Sequence, residues 1–148
     1  MSKTIEVART AHRVIADYMG TKPGEKVVIV TDTRTSPSIP EGLAGAAHSV
    51  GADPVVVMMT PRAKSGMEPP EPITAAMVKA DVVIAAASRS MYHIEAKNQA
   101  KQAGARGVFN APFEEDGWIN GGGENLHRRQ RVGLIKAYWK CQEIAFAE

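Results

Sequence analysis

Polar side chains able to hold a ligand or move a proton collect where the apolar runs of this sequence stop. The run "KVVIVT" gives way to Asp32, Thr33, Arg34, Thr35 and Ser36, and "DPVVVMMT" gives way to Pro61 and Arg62. The run "DVVIAAAS" ends at Ser88, and Arg89, Ser90, Tyr92 and His93 follow. Arg34 and Arg89 can clamp an anion through paired N–H groups, and the hydroxyls of Thr33 and Ser88 can donate to it. Asp32 and His93 add a carboxylate and an imidazole. The candidate ligand-binding residues are therefore Asp32, Thr33, Arg34, Ser88, Arg89 and His93, with an anionic or polar small molecule as the ligand class. The competing reading is architectural, because Ser, Thr and Asp also cap helices and close turns at such joins.

Other chemistry finds less support, and no catalytic residue is assigned. A Ser88–His93–Asp32 relay lacks the strained turn that presents a nucleophilic serine. His12 and His48 fall inside predicted helices, and His127 lies in the basic turn "HRRQR", where solvation is the simpler account. The run Glu114-Glu115-Asp116 has no second acidic or histidine cluster to complete a cation cage. Neither G-x-G-x-x-G nor G-x-x-x-x-G-K-[ST] follows the first apolar run, so the dinucleotide and phosphate-loop fingerprints are missing. The triple glycine Gly121-Gly122-Gly123 precedes an acid, Glu124, that would repel an anion, and it reads as a hinge.

The elements that must position these clusters alternate regularly. Ile5, Ala8, Ala11, His12, Ile15, Tyr18 and Met19 recur at helical spacing, predicting a helix over about 2–19 that stops at Gly20. A strand follows the Pro23-Gly24 turn, then a small-residue helix ending at Gly51, then a second strand. Both strands are apolar on successive residues and are expected to be buried on both faces. "PEPITAAMVKA" predicts a short helix, "DVVIAAAS" a third strand, "HIEAKNQAKQAGA" a helix and "RGVFNAP" a fourth strand. The stretches "PRAKSGMEPPEP" and "APFEEDGWINGGGEN" read as long loops. The last segment predicts a helix whose apolar residues cover more than one stripe.

This alternation predicts an α/β fold: a doubly wound, mainly parallel sheet of at least four strands with helices on both faces, Rossmann-like or flavodoxin-like. The expected division is an α/β domain over 1–123 and a C-terminal helix over 124–148, packing on a catalytic domain or a partner subunit. In such sheets ligands bind beyond the carboxyl ends of the strands, which is where the polar clusters fall.

Composition narrows the function classes. The 148 residues fit one domain, with 44% hydrophobic and 23% charged residues, as in ordinary globular chains. A net charge of +2 and 5% aromatics supply neither the basic stripe nor the stacking platform of a nucleic-acid binder. No window approaches a membrane span, and the N-terminus lacks the pattern of a signal peptide. One cysteine, Cys141, and the absence of zinc spacing fit a reducing compartment, so the cytoplasm is the expected location.

The order of segments adds a resemblance. "KPGEKVVIVTDT", "EPPEP" and "ADVVIAAASRSMYH", in that sequence, resemble the N-terminal domain of the aminopeptidase T family, the leucyl aminopeptidases of thermophilic metalloprotease type. The same stretch is similar to the N-terminal part of pyridine-ring-cleaving iron dioxygenases such as 2,5-dihydroxypyridine dioxygenase. The resemblance runs from the first helix to about Pro112. It implies that metal-binding glutamates, histidines, tyrosine and aspartate belong to a second half of the enzyme that this sequence does not include. No metal ligand is transferred to any residue here, and no cofactor is expected on this chain; zinc, cobalt or iron is implied for the missing half. The expected function is that of a non-catalytic domain, inactive alone, of an enzyme releasing N-terminal amino acids. The alternatives are the corresponding domain of a ring-cleaving dioxygenase, a free-standing small-molecule-binding module, or a structural subunit joined through its last helix. A homo-oligomer is expected.

Overall fold

A computed structural model of the chain describes residues 2–120. The predicted C-terminal helix over 124–148, the triple glycine, His127 and Cys141 lie outside the described residues. Within them, the elements alternate as the sequence pattern requires: α1 (Lys3–His12), β1 (Lys26–Asp32), α2 (Ser38–Ser49), β2 (Asp53–Met59), α3 (Glu71–Val78), β3 (Val82–Ala86), α4 (Glu95–Gln102), β4 (Arg106–Val108) and α5 (Glu115–Asn120). The sheet is entirely parallel, with strand order β2-β1-β3-β4. That order is the flavodoxin-like one; a Rossmann order would place β2 between β1 and β3.

Side chains alternate across the sheet and seed two cores. Val27, Ile29, Val82, Ile84 and Val108 face α1, α2 and α5, whose Val7, Ala11, Leu43, Ala47 and Trp118 close over them. Val28, Val30, Val83 and Ala85 face α3 and α4, meeting Ile73, Met77, Ala96 and Ala100. β1 and β3 lie at the centre and are covered from both sides, which is why Val27–Val30 of β1 and all five residues of β3 are apolar.

β2 departs from that expectation. It is an edge strand, and Val55, Val56 and Met58 are 48%, 44% and 61% exposed. Its composition matches that of a central strand, but its only ladder partner among the described residues is β1.

The first helix also differs. Ser2 caps α1, accepting from the Ile5 N–H, but after His12 the backbone widens into a π-helical turn over Arg13–Tyr18. The Met19 N–H reaches the Val14 carbonyl, five residues back, at 2.9 Å. The wider turn puts Val14 and Met19 on one face, so both are buried with Ile15. The buried stripe runs through Val7, Thr10, Ala11 and Val14. Ile5, Ala8 and His12, from the predicted stripe, are exposed.

Two glycines answer to geometry. Gly51 ends α2 at φ +82°, where a side chain would be strained. Gly107 in β4 runs so close to β3 that a methyl group there would collide with the Val83 carbonyl oxygen. At the opposite end of the sheet from the polar tips, Arg106 bonds both Glu25 carboxylate oxygens at 2.7 Å and donates to the carbonyls of Met19 and Gly20. It thereby joins β4 to the end of the first helix and the start of β1.

Candidate functional site

α2 leaves β1 toward one face of the sheet, and α4 leaves β3 toward the other. The two strands are neighbours, so the topological switch point lies between their carboxyl ends. This is where the sequence placed Asp32 and Ser88. The structure brings these two residues into direct contact and carries the other candidates to the surface around them.

Asp32 ends β1 with its residue only 1% exposed. Its Oδ2 accepts from the Ser88 backbone N–H at 2.8 Å and the Ser88 hydroxyl at 2.6 Å. Oδ1 accepts from the Arg34 N–H at 3.0 Å. The Thr35 hydroxyl lies 3.2 Å from that oxygen and 2.8 Å from the Ala86 carbonyl, and its single proton is shared between them. Burial raises the proton affinity of the carboxylate; the hydrogen bonds from Ser88, Arg34 and Thr35 together outweigh burial and hold its pKa below the usual aspartate value. Asp32 is therefore an ionised staple between β1 and β3, occupying the crevice from within.

Around this staple, Thr33, Arg34, Arg89 and His93 are exposed. His93 sets its ring edge-on to Tyr92, with centroids 4.8 Å apart, and the Lys97 ammonium lies 3.9 Å from the Tyr92 centroid. Burial, with repulsion from Lys101, lowers the Lys97 pKa. The Ser88 hydroxyl donates to Asp32, so the proton that a Ser–His relay would pass to imidazole is committed elsewhere. Arg62, beyond β2, has a buried Nε with no hydrogen-bond partner among the described residues.

Residues 61–72 were expected as a long surface loop; Glu71 and Pro72 instead begin α3, and the residues before them are stitched over the β3 tip. The Gly66 N–H reaches the Ser90 carbonyl, and the Ser90 N–H reaches the Ser65 hydroxyl, each at 3.1 Å. Glu68 accepts from the backbone N–H groups of Glu95 and Ala96, one with each carboxylate oxygen. The positive end of α4 is thus already matched by an internal carboxylate. Sequence reasoning missed Ser65 and Glu68 and named Thr35 in the polar run after β1 without making it a candidate; the "EPPEP" segment containing Glu68 was the available signal, but its target lies 27 residues further along the chain.

The acidic run after the fourth strand forms part of a short helix, α5, where a loop was expected. Glu115 accepts from the Ser38 hydroxyl at 2.7 Å, and Asp116 accepts from the Asn120 side chain. Fully buried Trp118 anchors the turn by donating to the Pro112 carbonyl. Among the described residues, no three His, Cys, Asp or Glu side chains are grouped to hold a metal ion. No helix among the described residues is long and apolar enough to cross a membrane.

No family model and no curated protein matches this chain. Among solved structures it is similar to 2,5-dihydroxypyridine dioxygenase from Pseudomonas putida KT2440, at 13% identity and a TM-score of 0.60. That match covers 73% of this chain and 34% of the dioxygenase, so the chain spans about a third of that protein's length. Cysteine desulfurase from Thermococcus onnurineus NA1 matches at 14% identity, TM-score 0.36, over 72% of this chain and 33% of that one. Ureidoglycine–glyoxylate aminotransferase from Bacillus subtilis matches at 11% identity, TM-score 0.42, over 93% and 50%. The dioxygenase likeness is one of fold; the other two scores are too low to indicate a shared fold.

Proposed function

We propose that this chain serves as the non-catalytic α/β domain of a larger metal-dependent enzyme, forming a wall of a reaction cleft whose metal and reacting groups lie on other residues. The observation that carries the proposal is the Asp32–Ser88 contact: the crevice where a free-standing module of this topology would seat its ligand is filled by the protein's own hydrogen bonds. The match to about a third of the dioxygenase supports the same reading and favours ring-cleaving chemistry for the parent enzyme. An aminopeptidase T parent rests on the sequence resemblance alone.

The test is activity and metal content of the isolated chain. With Fe(II), 2,5-dihydroxypyridine and oxygen, no ring cleavage above the protein-free rate is expected. With Co(II) or Zn(II) and leucine p-nitroanilide, no release is expected. Turnover in either assay, or one metal ion retained per chain through gel filtration, overturns the proposal.

A second reading follows from the exposure of Arg34 and Arg89 beside the closed crevice. A small anion could be held outside the Asp32 staple rather than within it. Thermal protection by phosphate or a dicarboxylate, lost in both Arg34→Ala and Arg89→Ala, would favour a binding module; no protection favours the domain reading.

A further inference from the structure

We draw no further inference here: the strongest candidate, the Tyr92–His93–Lys97 side-chain cluster where β3 leads into α4, rests as a site of amine modification on the lowered Lys97 pKa alone, because the Tyr92 ring 3.9 Å from the ammonium favours its charged, unreactive form.

Discussion

Asp32 and Ser88, 56 residues apart in sequence, meet through one carboxylate oxygen that accepts both the Ser88 N–H and its hydroxyl. The pair joins the carboxyl ends of the two central strands at the position where their helices part to opposite faces. A charge held there by oriented donors is cheap to keep ionised and costly to leave with one partner removed. The same arrangement fixes the β3 tip, from which Arg89 and His93 project.

Replacing Asp32 should therefore cost more than replacing Ser88. In Asp32→Asn the new NH2 group confronts N–H donors, so urea unfolding at pH 7 should show a loss of about 2–4 kcal/mol. Ser88→Ala keeps the backbone donor and should lose about 1–2 kcal/mol. Equal losses would show that the hydroxyl, not the carboxylate, holds the junction.

The pH dependence has a definite sign. The folded pKa of Asp32 is depressed, so the native state favours its ionised form. The resulting stability is complete above the unfolded aspartate value of about 3.9 and disappears as pH falls through the lower folded value. Glu25, whose carboxylate is hydrogen-bonded by Arg106, is depressed as well and adds to the same acid limb. Unfolding free energy measured from pH 7 down to pH 2 should decline below about pH 4, and Asp32→Asn should flatten that limb without abolishing it. A limb of unchanged steepness in the variant would contradict the staple.

The Arg106–Glu25 pair joins three chain segments but is partly exposed to solvent, so its worth lies more in geometry than in charge. Arg106→Lys retains the charge and loses the two-pronged contact, along with the bonds to Met19 and Gly20. Both Arg106→Lys and Arg106→Ala should cost about 1 kcal/mol, read from denaturant midpoints. A fully stable lysine variant would show that charge alone suffices.

The fold was readable because Val27–Val30 of β1 and the whole of β3 are apolar on successive residues, as strands covered on both faces are. The same rule misled at β2, whose Val55, Val56 and Met58 are apolar yet exposed, because composition does not tell a strand where in the sheet it lies. For the first helix, two apolar stripes were available, and the π-helical turn at Arg13–Tyr18 selected the one through Val7 and Val14. At the site, the residue types were visible, and proximity to strand tips located Asp32 and Ser88. Their bond to each other was not visible, since long-range partners follow from topology rather than from local pattern. Glu68 was hidden for the same reason.

Gly107 offers a sharper test of packing than any polar residue. A methyl group there would run into the Val83 carbonyl oxygen within the β3–β4 pair, and backbone cannot yield as a flexible side chain does. Gly107→Ala should lose about 3 kcal/mol or more, detectable as a fall in thermal midpoint or as insoluble protein. Alanine tolerated at no cost would mean that β4 lies farther from β3 than described.

Glu68 links the 60–70 segment to α4, and its loss should be felt locally rather than globally. Its two oxygens satisfy the N–H groups of Glu95 and Ala96 and place negative charge at the positive end of the helix. Glu68→Ala removes both effects, at a cost of about 1 kcal/mol in overall stability. Hydrogen exchange should quicken at residues 95 and 96, and at residues 66 and 90, whose bonds hold the same segment down. Glu68→Gln keeps one acceptor but no charge and should fall between. If exchange at residues 66 and 90 stays as slow as in the wild type, Ser65 and the buried Pro69 hold the segment without the carboxylate. The surface carrying Arg89 and His93 would then be independent of Glu68.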